Sequence, residues 1–174
     1  MSAIRPHGGQ LINRLVKGAE REEWLAKANE LSAIPVSNWT ISDLDLIGVG
    51  AFSPLTGFMN EDDYKSVVDT MRLKSGLVWS IPVTLAVTSD QAAALSVGQQ
   101  VALIGERDGV VYAVLDIESI YKADKRHEAV QVFKTDSTEH PGVVKLFDRP
   151  DIYIGGPIRV LNRPQPEKFG EYYF

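Results

Sequence analysis

The sequence has no cysteine among its 174 residues. That absence excludes disulfides, thiolate nucleophiles, zinc knuckles and iron–sulfur ligation, and it suits a reducing compartment, so a cytoplasmic location is expected. Histidine is nearly as scarce: His7, His127 and His140 are the only three, with no His-x-x-His or His-Glu-x-x-His spacing on which an imidazole metal site is built. Long apolar runs are also missing. No stretch approaches the ~18 apolar residues of a membrane span, and the start MSAIRPHGGQ has no apolar run behind a basic head, so neither a span nor a secretory signal is expected. Positive charge is the last shortage. Eighteen Lys and Arg against 23 Asp and Glu leave a net charge of −5, the wrong sign for a chain that wraps phosphate backbone, so nucleic acid is a disfavoured partner.

What is present is enough chain for one domain with a proper core, since a domain near this size hides roughly 70% of the surface its unfolded form exposes. There is no internal repeat and no low-complexity segment. AEREEWLAKANEL spaces Trp24, Ala28 and Leu31 as one face of a helix. TISDLDLIG reads as a second helix, capped by Thr40 or Ser42 and stopped by Gly48 in the left-handed conformation. NEDDYKSVVDTM is a third: Asn60 caps it, Glu61, Asp62 and Asp63 sit at the positive end of its dipole, and Tyr64, Val67, Val68 and Met71 form its apolar stripe.

From Leu77 the period changes to two. LVWSIPVTLAV predicts a strand with Pro82 at an edge or bulge, and SDQAAALSVG holds one helical turn. QQVALIG and GVVYAVLDIESIY are two strands joined through Asp108-Gly109, a good hairpin turn. DKRHEAVQVF is a helix capped by Asp124, HPGVVKLF a short helix opening after Pro141, and DIYIGGPIRVL a strand bent at Gly155-Gly156. The central strands are joined by short turns, not by long crossover helices, which argues for antiparallel pairing: an α+β, barrel-like sheet with peripheral helices. The tail NRPQPEKFGEYYF has a linker's composition and ends on Tyr172, Tyr173 and Phe174.

The stretch GVGAFSPLTGFMNEDDY tests whether the chain cradles phosphate. No Gly-Lys-Ser/Thr follows its glycines, Ser53 stands where a dinucleotide fingerprint needs a third glycine, and a helix precedes it where a strand is required. Its glycines therefore read as corner pieces, with Pro54 fixing the connection and Phe52, Leu55, Phe58 and Met59 anchoring it in the core. Arg5, His7, Gly8 and Gly9 read as a turn pinning the amino terminus to the sheet, His140 as a ring that caps a helix start, and His127 as solvated. Asp43, Asp45, Asp62 and Asp63 sit where helix starts and polar faces favour negative charge, and no Gly-x-Ser-x-Gly elbow presents a nucleophile.

RPHGGQL, DLDLIGVGAFSPLTGFMNEDDY, WSIPVTL, VYAVLDIESIYKADK, EAVQVF, HPGV and YIGGPIRVL together resemble, in order and spacing, the amino-terminal domain of sulfate adenylyltransferase (ATP sulfurylase), over residues 4 to about 170. The resemblance implies a PUA-like antiparallel β-barrel with peripheral helices over residues 1–162, and a linker or start of the missing catalytic domain over 163–174. It favours the bacterial single-function branch over forms fused to a kinase. In the family this barrel precedes a nucleotide-binding domain that joins ATP and sulfate, with Mg2+, to give adenosine 5′-phosphosulfate and pyrophosphate. The donors for that chemistry lie in a Gln-x-Arg-Asn-Pro stretch, a histidine pair and a later glycine-rich loop, none of which occurs here.

No catalytic, cofactor-binding or metal-ligating residue is therefore assigned to this chain. It is expected to be an excised or truncated amino-terminal domain, inactive alone and a scaffold for the catalytic domain, with ATP, sulfate and homo-oligomerisation belonging to the longer polypeptide and with no membrane partner. Whether it counts as an enzyme is left open. The alternative is a free-standing PUA-like RNA-binding module, which a basic face would support.

Overall fold

The computed structural model describes residues 4–165 and 170, so Tyr172, Tyr173 and Phe174 lie outside the described residues. The chain runs α1 (Gly18–Ala28), β1 (Ser32–Val36), α2 (Asn38–Gly48), β2 (Gly57–Phe58), α3 (Glu61–Thr70), β3 (Leu85–Val87) and α4 (Ser89–Ala93). It continues through β4 (Gln100–Gly105), β5 (Val111–Asp116), β6 (Ser119–Lys122), α5 (Lys125–Phe133), α6 (Pro141–Asp148) and β7 (Ile152–Val160). These elements fall into two compact units that interleave in sequence. The first takes the chain up to Thr56, Gln100–Leu115 and the chain from Ile158 on; the second takes Gly57–Gln99 and Asp116–Pro157.

In the first unit the strand path is β1-β4-β5-β7. β5 and β7 are antiparallel, with Ala113 opposite Val160 and Leu115 opposite Ile158. β1 and β4 are parallel from Ser32–Val101 to Val36–Gly105, which corrects the all-antiparallel expectation. The sequence reading missed β1 because its five residues carry Pro35 and show no alternation; at the end of the path, a residue without an N–H is tolerated. Ala28, Ala102, Val114 and Leu161 form one core cluster, against which Trp24 and Leu25 of α1 pack. Each large side chain buried in this way stabilises the fold by about 1.5–3 kcal/mol relative to exposure.

α2 begins earlier than the apolar pattern suggests. Ser37 is its cap, accepting from the Thr40 N–H at 3.4 Å, in place of Thr40 or Ser42. Gly48 is not its left-handed stop: it lies inside the helix, where an added Cβ would come within 3.2–3.3 Å of the Val160 side chain. The positive φ, 83°, belongs to Gly50, and a Cβ there would meet Leu11 Cδ1 at 2.8 Å and the Ile12 carbonyl at 2.9 Å. Ser53 completes this corner by donating to the Gly50 carbonyl at 2.6 Å and accepting from the Ile12 N–H at 2.9 Å.

The second unit is antiparallel as expected: β7 pairs with β2, β3 and β6. The predicted strand GVVYAVLDIESIY is broken into β5 and β6, because the chain changes partners between them. Ile117 N–H donates to the Gln99 carbonyl at 2.9 Å, while Glu118 N–H donates to the Gly155 carbonyl at 2.9 Å. Gly156, with φ 147°, provides the bend in β7; its α-carbon faces the Asp116 carbonyl too closely for any side chain.

The strand expected from Leu77 shrinks to Leu85–Val87, with Pro82 outside it, because Val78 pairs instead with Arg72 in a lone bridge. On α3, Tyr64, Val67 and Val68 are buried, but Met71 leaves the stripe: it ends the helix at φ 53° and is 52% exposed. Asn60 precedes α3 without a side-chain cap, donating to Glu118 Oε2 at 2.9 Å instead. Asp124 caps α5 through the His127 N–H at 3.0 Å, and the His140 ring caps α6 by accepting from the Gly142 N–H at 3.1 Å, both as predicted. In neither unit does the strand path close on itself, so the α+β architecture holds while the sheet is mixed and open.

Candidate functional site

Four pieces of the first unit converge on a cleft of about 770 Å³. The first turn of α2 supplies Asn38, Ile41 and Ser42; the β4–β5 turn supplies Arg107, Asp108 and Val110; β5 supplies Tyr112, and the chain leaving β7 supplies Asn162, Arg163, Pro164 and Gln165. The turn is made by Gly109 at φ 66°, with Gly105 N–H bonded to the Val110 carbonyl at 2.9 Å. Asp108 braces it from within, accepting from the Val110 N–H at 3.0 Å and from the Tyr112 hydroxyl at 2.7 Å. Those two donors, the backbone one first, hold the Asp108 carboxyl below the ordinary aspartate range. Burial, then the hydrogen bond to Asp108, pushes the Tyr112 hydroxyl up to about 12.

The departing chain is tied down as firmly. Leu161 N–H bonds the Tyr112 carbonyl at 2.8 Å, Asn162 Nδ2 donates to the Val111 carbonyl at 2.7 Å, and Arg21 Nε donates to the Leu161 carbonyl at 2.7 Å. Arg163 then grips Asp45 of α2 as a two-pronged fork, Nε to Oδ1 at 2.7 Å and Nη2 to Oδ2 at 3.2 Å. Asp45 is only 7% exposed, so it is an inward anchor and not the polar-face charge the sequence suggested. Arg107 differs from both: it is exposed and makes no hydrogen bond or ion pair among the described residues. The cleft can therefore hold a partner by charge and contact.

The second unit buries a different polar cluster. Glu128 of α5, 6% exposed, accepts from the Tyr64 hydroxyl at 2.8 Å and the Tyr153 hydroxyl at 3.3 Å. Tyr64, Tyr121 and Tyr153 pack with ring centroids 5.4–5.9 Å apart, and Arg149, bonded to the Thr84 carbonyl at 2.9 Å, lies 5.1 Å from the Tyr153 ring. Burial raises the Glu128 carboxyl above the ordinary glutamate value; the two hydroxyls and Arg149 oppose it. Tyr64 and Tyr153 bond Glu128, while Tyr121 donates to the Met59 carbonyl at 2.8 Å, which makes the cluster a structural brace.

The residues weighed from sequence are scattered. Pro6 to Gly9 form a turn closed at 2.8 Å, and the chain beyond it is pinned to β7 through Val16 N–H and the Val160 carbonyl at 2.9 Å. His127 is not merely solvated: its Nε2 lies 2.6 Å from Asp69 Oδ1. Asp63 accepts from the Lys74 N–H at 2.8 Å. Leu55, Phe58 and Met59 are buried and Phe52 half-buried, as the corner reading requires. Among the described residues no three His, Asp or Glu side chains are grouped to hold a metal ion, and no residue here is assigned to magnesium.

The sequence matches the PUA-like domain family over residues 4–163, and the chain belongs to that family. Within it, the chain is similar over nearly all its length to sulfate adenylyltransferases, and the resemblance to their amino-terminal domain is borne out. It is 46% identical over 172 residues to the enzyme of Synechocystis sp., covering 99% of this chain and 44% of that protein. The enzyme of Halothermothrix orenii is 44% identical over 169 residues, covering 97% and 44%. A protein of Sorangium cellulosum described as "Probable bifunctional SAT/APS kinase 2" is 47% identical, covering 97% and 29%, so identity does not separate the single-function branch from fused forms. The chain thus spans less than half the length of these relatives. A solved structure described as a hexameric APS kinase from Thiobacillus denitrificans shares the fold, with TM-score 0.74 and 23% identity over 97% of this chain and 29% of that one.

Proposed function

We propose that this chain is the amino-terminal domain of a sulfate adenylyltransferase, serving in the cytoplasm as scaffold and interface for a catalytic domain that joins ATP and sulfate in sulfate assimilation. It does not turn over alone. The observation that carries this reading is the coverage: relatives 42–47% identical match 97–99% of this chain with 29–45% of their own length. The geometry fits, because the cleft offers a charged, tied-down surface and the buried Glu128 cluster is turned inward. ATP, magnesium, sulfate and oligomerisation belong to the longer polypeptide.

The test is sulfate-dependent pyrophosphate release. Residues 1–174 alone are expected to give none above background, and a chimera in which they replace the matched segment of the Synechocystis enzyme is expected to be active. Turnover by residues 1–174 alone, or a folded but inactive chimera, overturns the reading.

A further inference from the structure

The cleft of the first unit has features that a passive corner does not need. The family match ends at Arg163, and Asn162 to Gln165 line the cleft, so whatever follows a PUA-like domain of this kind starts from its wall. That start is held fast: the Arg163–Asp45 fork and the hydrogen bonds from Leu161 and Asn162 fix where the chain leaves. Two other charges on the lining are already committed, Asp108 to Tyr112 and Val110, and Arg163 to Asp45. Arg107 alone of the lining charges has no partner among the described residues, and the backbone of the turn that carries it is braced by Asp108. Around it the lining is partly apolar: Val110 is 37% exposed, and Ile41 and Pro164 also line the cleft.

We infer that this cleft seats the polypeptide that follows the PUA-like domain, which docks a carboxylate against Arg107 and apolar side chains against Val110 and Ile41. The inference rests on the function proposed above and identifies the face it uses. The occupant is the continuing chain because the matched segment fills only 44% of the Synechocystis relative, leaving a larger body attached at the cleft wall. A surface of that kind, an apolar patch with an arginine at its rim, is the composition of protein–protein interfaces.

Hydrogen–deuterium exchange of residues 1–174 alone and within the chimera tests this. Amides of residues 38–42 and 106–110 are expected to exchange about tenfold more slowly in the chimera. Arg107→Glu should undo that protection, while Arg126→Glu on α5 should not. Equal exchange in both proteins, or protection confined to the exposed Met71, Val78 and Ile81 of the second unit, overturns the inference. An active chimera with an unprotected cleft refutes this docking face only; a folded, inactive chimera refutes the function reading whichever face is protected.

The missing cysteines allow a second measurement that does not depend on the chimera folding. Ser42→Cys, at an exposed lining position that keeps Arg107 intact, gives residues 1–174 a single thiol, whose maleimide labelling should slow about fivefold when the remainder of the Synechocystis enzyme is added in trans. An unchanged rate overturns the inference. So does slowing by the chain's own concentration, which makes the occupant a second copy, or by sulfate or ATP alone, which makes the cleft a small-anion site.

Discussion

Among the described residues the two units bury one carboxylate each, and stabilise it in opposite ways. In the first, Asp45 meets a guanidinium in a two-pronged fork, so its charge is matched by a full opposite charge. In the second, Glu128 meets two tyrosine hydroxyls, with Arg149 and Lys125 acting only from a distance, and its carboxyl is pushed above the ordinary glutamate value. The difference teaches what each site is for. A charge-matched anchor fixes a strand exit at the edge of a cleft, while a hydroxyl-bonded carboxylate fills a tyrosine core and keeps a tendency to take up a proton.

The strongest way to break this comparison is to remove one partner from each. Arg163→Ala leaves Asp45 buried without its counter-charge and should cost about 3–5 kcal/mol in urea unfolding. A loss near zero would mean that solvent reaches Asp45 and that the fork anchors nothing. Tyr64→Phe removes the shorter hydroxyl bond to Glu128 and should cost about 1–3 kcal/mol in the same experiment.

Titration sharpens the contrast. Because the folded carboxyl of Glu128 binds its proton more tightly than the unfolded one, the folded state holds more protons between the ordinary value of 4.5 and the raised one. The Glu128 contribution to stability therefore falls as pH rises through that window, and is most favourable below it. Unfolding free energies of the wild type and Glu128→Gln, measured across pH, should differ by this slope; identical profiles would remove Glu128 as its source.

The smallest effects compare the caps of the two units. Thr88 of α4 makes a reciprocal capping box with Gln91, at 3.2 and 2.8 Å, whereas Ser37 caps α2 at 3.4 Å. Thermal melts should show Thr88→Ala costing about 1 kcal/mol and Ser37→Ala about half that. The reverse order would mean that bond length is a poor guide to cap strength here.

Local signals were legible. The 3.6-residue stripe of Tyr64, Val67 and Val68, the Asp124 and His140 caps, and the Asp108-Gly109 turn were all found from sequence because each depends on residues within a few positions of one another. The parallel β1–β4 pair was not. Its partners are about 70 positions apart, and a five-residue run with a proline has no period to detect. Gly48 and Gly50 show the same limit at close range: both stand near a helix end, and only the structure shows that Gly48 lies inside α2 against Val160 while Gly50 takes the positive φ.

The candidate site was the least legible part. Arg107 carried no signal of its own, Asp45 looked like a helix-face charge and Arg163 like the start of a linker, because nothing local links positions 45, 107 and 163. The sequence alone determined the family resemblance, the helices, the turns and the lack of thiol chemistry, since these follow from residue identity and short-range spacing. Only the tertiary structure decided which carboxylate is paired and which is buried among tyrosines, and that Arg107 lines a cleft with no partner among the described residues. Burial and the direction of an unpaired charge depend on contacts between distant segments, and those exist only once the chain has folded.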